Sequence, residues 1–456
     1  MSSKFFDFDI IHSLPSEAVV GVLVAFVVLH AVLLACICFF RKQIHPMYFM
    51  LLVISTMFYV SPFSMIAVSE AGRWLRVYLI VMTALIGLLL YRPKRLGPPA
   101  KVALIYAVFM ILTAAKTGNA AAFVGVVYKL IFMLSLIACL AIAHSVRDPK
   151  QLYRQLHWFI GLMVIYAANY VFYIATNPSA LNNRFNYEDI GVMRLAISVA
   201  SVAVISMFVT MYDTSKIWKI AAAFVTVVMG MVILLTGSRG PTFALFFASL
   251  CMFIPLVKRP GLLISFVLLI AIGVAIVAYS GLEISYLERA IGLETSGSQD
   301  ITTGRLAVWK QNMVGFYQHP LLGCGFMETG MQGGRLHSSY VQLIAEGGLV
   351  GMCFFLLLCV SILYALIVVF KKGKNHPEVG TLRMLPIGCL IFAAPIGIVE
   401  SSLVYGTNLN AVVLMLGIGY LDWMYLAIKH PVKKAQSKII LVRKKNAEPL
   451  RPGFSS

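Results

Sequence analysis

The chain has 456 residues, 60% of them hydrophobic and only 12% charged, with a formal net charge of +19. Soluble domains carry about 25% charged residues, so this composition excludes a soluble globular protein and predicts an all-α polytopic membrane protein. The positive charge alone would admit a nucleic-acid partner, but its placement along the chain argues for a membrane topology signal, and no nucleic acid is expected.

A span needs roughly 20 mostly apolar residues. In chain order such runs fall at about 17–40, 47–65, 75–91, 101–115, 120–144, 156–176, 191–212, 215–235, 241–257, 261–280, 347–370, 384–403 and 408–428. That makes about thirteen helices (12–14), the fourth and ninth being short. Irregular backbone is not tolerated facing lipid, so every span should be helical. The first apolar run is too long for a cleavable signal peptide and has no basic leader, so none is expected. The Cys residues fall mainly in apolar segments, with only Cys324 in a polar loop. Neither a disulfide framework nor a Cys-based metal site is indicated.

The loops between spans sort by charge. One alternate set holds Arg41 and Lys42, Arg92 through Lys101, Arg147, Lys150 and Arg154, Lys216 and Lys219, Lys258 and Arg259, Lys371 through Arg383, and the tail from Lys429 to Arg451. The other holds most of the acids, among them Glu70, Glu188, Asp189, Glu283, Glu288, Asp300 and Glu328. Short basic loops stay cytoplasmic. The amino terminus is therefore expected outside, the carboxyl terminus inside, and a long loop over 281–346 outside. This divides the chain into spans 1–10 (1–280), the external loop with short helices (281–346), spans 11–13 (347–428) and a basic tail (429–456). The tail reads as a solvated basic segment near anionic lipid.

The external side breaks the charge pattern with Arg73, Arg76, Arg184, Arg194, Arg239, Arg289, Arg305 and Arg335. Arg is a rigid fork suited to bidentate contact with phosphate or carboxylate, and a lipid diphosphate held at the outer boundary accounts for so many. Loop salt bridges to Glu188, Asp189, Glu288 or Asp300 are the alternative for any one of them. That alternative is weakest for Arg239, in Thr236-Gly237-Ser238-Arg239-Gly240-Pro241, a tight turn with no acid beside it in sequence. Gly on either side lets backbone N–H groups approach an oxyanion. Lys129, deep in the fifth span, either snorkels or lines a cavity, and Glu400 is the expected acidic counterpart in that layer.

Ser339-Tyr340-Val341-Gln342 matches a capping box, with Ser339 as N-cap and Gln342 three residues on. His337 then stands just ahead of a helix amino terminus, whose positive end disfavours imidazolium. A neutral imidazole can take a proton from an attacking hydroxyl; the bland alternative is a loop His satisfied by water or backbone. His319, before Pro320, reads as structural, and His144 and His157 as span or interface residues. Gly347, Gly348 and Gly351 read as sites of close helix approach. No close ligand spacing and no Asp-x-Asp supports a metal, no nucleotide-binding loop is present, and no cofactor is expected.

At these residues the chain resembles the O-antigen ligase and polymerase superfamily of membrane glycosyltransferases. The motifs are Thr-Gly-Ser-Arg-Gly at 236–240, Arg305-x-x-x-Trp309 with His319-Pro-Leu-x-Gly-x-Gly325, and His337-Ser-x-Tyr-x-Gln-x-x-x-Glu346-x-Gly348-x-x-Gly351. The resemblance implies a GT-C-like, inverting, metal-independent enzyme at the periplasmic face of a bacterial inner membrane. Its donor would be an undecaprenyl-diphosphate-linked oligosaccharide and its acceptor a glycan, with membrane lipids and other polysaccharide assembly proteins as further partners. The resemblance assigns the base to His337 and the diphosphate to Arg239 and Arg305, with Arg289, Arg194 and Arg184 as additional cations. Tyr340, Glu400 and Trp309 are further candidates. A polymerase and a ligase both fit, the extra amino-terminal span and long basic tail favouring the polymerase. A lipid-linked oligosaccharide flippase is the competing class; the lack of internal duplication and the charge concentrated on one face weigh against it.

Overall fold

The computed structural model describes residues 77–78, 80–85, 87–88, 95–116, 120–146, 148–177, 192–256, 305–325, 338–376, 379–400 and 409–430. Among these the regular structure is helical throughout, with no strand. The helices are α1 (Pro98–Ala115), α2 (Ala120–Ser145), α3 (Pro149–Thr176), α4 (Val192–Tyr212), α5 (Lys216–Thr236), α6 (Arg239–Phe253), α7 (Arg305–Gln318), α8 (Ser339–Gly373), α9 (Met384–Val399) and α10 (Leu409–Lys429). Among the described residues eight apolar helical stretches are long enough to cross a membrane, and α6 is shorter, as in a multi-pass membrane protein. The spans predicted at 17–40, 47–65 and 261–280 and the tail beyond His430 lie outside the described residues.

The apolar runs locate the helices closely, and the differences have local causes. α3 begins at Pro149 rather than near 156, because Asp148 accepts a hydrogen bond from Gln151 N at 2.8 Å and Pro149 occupies the first helical position. Its polar first turns are helical but invisible to hydropathy. α8 begins at Ser339, and the predicted start at 347 coincides with a break at Gly348 (φ 62, ψ −158). The N-cap is Ser338, which accepts from Val341 N at 3.4 Å; the expected cap at Ser339 is corrected by one residue.

Two helices form the interior. α4 is buried along nearly its whole length against α3, α5, α6, α9 and α10, and α10 packs on α1, α2, α4, α8 and α9. Outward flanks expose large apolar side chains such as Leu112, Phe172 and Val360, as a surface solvated by lipid tails permits.

Helix directions follow from contacts at the ends. The start of α1 meets the end of α10, where Asp422, fully buried, accepts from Gly97 N at 3.0 Å, Ala100 N at 3.3 Å and pairs with His144 at 3.1 Å. Asp422 thus caps α1 from a distant element, since Gly97 offers no side chain for that job. At the same end His157 pairs with Asp213 and stacks on Trp218. His144 is thus at the end of α2, while His157 lies two turns inside α3. The other end of the bundle holds the end of α1, the start of α4, the α5–α6 turn, the start of α8 and the end of α9.

Candidate active site

The motif residues that are described gather at that second end. The α5–α6 turn is two residues, Gly237 and Ser238; Gly237 takes the left-handed conformation (φ 59) that closes a helix without a Cβ penalty. Arg239 is then the first residue of α6 and is half-buried. α6 lies antiparallel to α9, with Gly388 against Met252. Thirteen residues back from Met252, Arg239 is level with Glu400, twelve residues on from Gly388. Arg194, the third residue of α4, is exposed at this end. Arg305 and Trp309 start α7 at i and i+4, so they share a face, and both are half-buried. His337, Arg184 and Arg289 lie outside the described residues.

The second and third motifs interlock through their backbones. In an unbroken helix the carbonyls of Ala345 and Glu346 would receive the N–H groups of Leu349 and Val350. Here Leu349 N donates to Pro320 O at 2.8 Å and Val350 N to Leu321 O at 3.0 Å. The freed carbonyls are taken by the same loop, Ala345 O from Cys324 N at 3.0 Å and Glu346 O from Gly325 N at 3.2 Å. The His319–Gly325 turn is thus inserted into α8 at Gly348, and all four exchanged backbone groups remain paired. His319 serves as turn former, its carbonyl receiving Gly323 N at 2.8 Å while the residue itself is exposed. Gly347 and Gly351 do permit close packing, against the Phe109 ring of α1.

A buried polar cluster supports this junction. Lys129 Nζ lies 2.9 Å from Glu346 Oε2, both groups almost fully buried, and Gln342 Nε2 donates to Glu346 Oε1 at 2.6 Å. The expected partner, Glu400, is therefore corrected to Glu346. Glu400 is level with Ser339 at the end of the bundle, whereas Glu346 stands seven residues further into α8 and faces Lys129 of α2. Gln342 serves this carboxylate rather than closing a capping box on Ser339. Lys116 Nζ adds a bond to Gly323 O at 3.2 Å from the end of α1.

The start of α8 and the end of α9 satisfy one another. Ser339 Oγ donates to Glu400 O at 2.8 Å, Ser338 Oγ to Gly397 O at 3.4 Å, and Tyr340 Oη to Ala394 O at 2.7 Å. Terminal carbonyls of a helix lack intrahelical partners; Ser338 and Ser339 fill that vacancy at Gly397 and Glu400, while Tyr340 adds a donor to Ala394 O further in. Beneath them a cavity of about 70 Å³ lies between α1, α2, α8 and α10, walled by Tyr106, Lys129, Phe132, Tyr340, Leu343 and Phe355. Its lining is mostly apolar, with Lys129 and Ser339 among the few polar residues. The Lys129–Glu346 pair escaped sequence reasoning, although Glu346 stands in a quoted motif and Gln342 four residues earlier shares its helix face. Among the described residues no cluster of three or more metal-ligating side chains occurs.

Fold and site together define a multi-pass helical membrane protein whose described motif residues gather at one end of the bundle. Residues 224–356 match the family model described as O-antigen ligase. The match runs from within α5 past the broken turn of α8, so it contains every motif quoted above, and it bears out the resemblance to the O-antigen ligase and polymerase superfamily. No curated protein matches the chain.

Proposed function

We propose that this protein is an inverting glycosyltransferase that moves a glycan from an undecaprenyl-diphosphate donor to a sugar hydroxyl at the periplasmic face of a bacterial inner membrane. The observation that carries the proposal is the family match over 224–356, whose second and third motifs meet where the 319–325 loop interlocks with α8. His337, one residue before the Ser338 cap, removes the proton from the acceptor hydroxyl as it attacks the anomeric carbon. The Arg239 and Arg305 guanidinium groups hold the departing diphosphate, with Arg194, Arg184 and Arg289 in support, and favour the charge that develops there. Inversion follows from a single displacement, and the chemistry needs neither metal nor cofactor.

The acceptor decides between two activities. The preferred reading is a repeat-unit polymerase, in which one lipid-linked chain is transferred to the terminal sugar of another. The description of the matched family favours the second reading, a ligase that transfers the chain to a lipid A-core sugar. The test is a purified assay with lipid-linked donor, offered each acceptor in turn. Longer chains on the undecaprenyl carrier establish the polymerase; glycan on lipid A-core establishes the ligase. His337→Ala is expected to abolish transfer while leaving donor binding intact, and normal turnover by that variant removes the base from His337.

A further inference from the structure

We propose that Lys129 is a positioning residue, whose ammonium holds Glu346 and thereby locks the 319–325 loop into the broken turn of α8. The inference rests on the reading that this end of the bundle carries the transfer reaction.

Lys129 sits in the apolar run of α2 at 2% exposure, where an ammonium is costly unless paired. A buried ion pair is a poor source of net stability, and well-packed apolar residues often replace one without loss. Its presence is better accounted for by the alignment it enforces. Glu346 is held at three acceptors: Oε2 by Lys129, Oε1 by Gln342, and its carbonyl oxygen by Gly325 N. The side chain is therefore anchored to α2 while the backbone is anchored to the loop. Rotation of residue 346 would misdirect both its own carbonyl and that of Ala345, the two acceptors the loop depends on. Lys116, bonded to Gly323 O from the end of α1, braces the same loop from its exposed side. Two lysines on neighbouring helices thus tie down a segment whose own hydrogen bonds are few.

A native thiol reports on the lock. Cys324 is 7% exposed, and its Sγ lies 3.2 Å from Ala345 O. The experiment compares wild type, Lys129→Met/Glu346→Gln and Lys129→Glu/Glu346→Lys in detergent, measuring maleimide labelling of Cys324 by peptide mass spectrometry alongside kcat and donor KM. The neutral pair is expected to stay folded, to label about tenfold faster through local opening, and to lose about 100-fold in kcat. Its donor KM should stay within about threefold, since a misaligned site differs from a lost binding contact. The reversed pair should recover protection and most of the rate. If the neutral pair does not fold, Glu346→Asp, which withdraws the carboxylate by one methylene, is read in the same way. Wild-type protection of Cys324 in the neutral pair overturns the proposal, as does a raised donor KM at unchanged kcat, which would make Lys129 a donor contact. Activity surviving in His337→Ala would instead overturn the functional reading, and the labelling comparison would still decide the lock.

Discussion

Gly323 and Gly348 lie backbone to backbone, each in the left-handed region (φ 68 and 62), and a Cβ on either would overlap the other segment. On Gly348 it would stand 2.6 Å from Leu321 C, and on Gly323 2.7 Å from Ala345 O. These contacts are main-chain atoms, which cannot swing aside as a flexible side chain can. The two glycines recur in the quoted motifs because one closes the turn and the other opens the helix that receives it.

Gly348→Ala is accordingly expected to destabilise the protein by about 2 kcal/mol from backbone strain alone, with a further loss as the loop is displaced. A thermal melt in detergent should show a lower midpoint, and transfer should fall with it. An alanine variant with the wild-type midpoint and rate would mean that the interlock tolerates a side chain and is not built as described.

Arg239 tests the anion clamp by geometry rather than by charge. Lysine keeps the charge but presents a point where arginine presents a fork. Arg239→Lys should therefore lower transfer about tenfold or more, a bidentate contact to an oxyanion being worth over 1 kcal/mol. Lys216→Ala, at the start of α5 on the opposite end of the bundle, should leave the rate nearly unchanged. Equal effects in a side-by-side transfer assay would argue against diphosphate recognition at the α5–α6 turn.

The helices were legible because lipid-facing and interior positions are both apolar, so each span stands out as an uninterrupted run. Polar helical turns did not stand out: the first turns of α3 carry Lys150, Gln151 and Arg154, and the Asp148 cap that begins them is a local signal that hydropathy ignores. The break at Gly348 was legible only as a change of character between polar loop and apolar span. That a distant turn inserts there depends on a tertiary exchange of hydrogen bonds, which no local pattern encodes. The partner of Lys129 was hidden for a related reason. Glu346 falls in what hydropathy reads as polar loop, whereas in the fold it stands seven residues into α8, deeper than Glu400, whose carbonyl meets Ser339 at the helix start.

Asp422 offers the converse case, a buried carboxylate far from the motifs. It accepts two N–H groups at the start of α1 and pairs with His144. Asp422→Ala should cost about 3 kcal/mol, the usual loss when one member of a buried polar cluster is deleted. The molecules that remain folded should transfer at the wild-type rate. Measured as activity per monodisperse protein after size exclusion, a large fall in specific rate would show the two ends of the bundle to be coupled.

Tyr340 separates a structural hydroxyl from a reactive one. It stands in the third motif, three residues beyond His337, and its hydroxyl donates to Ala394 O, one residue before Pro395 in α9. A carbonyl has two lone pairs, so a tyrosine from α8 adds a second donor to Ala394 O near the end of α9. A hydroxyl spent in this way holds α8 to α9 and has its proton committed. Tyr340→Phe should then cost about 1 kcal/mol, the ordinary net value of one such bond, and lower kcat by no more than about threefold. The ring contact with Phe355 in α8 is kept by phenylalanine, so packing is not disturbed. A kcat reduced 100-fold at an unchanged melting midpoint would instead move Tyr340 into the reacting centre, and with it the role of the carbonyl it touches.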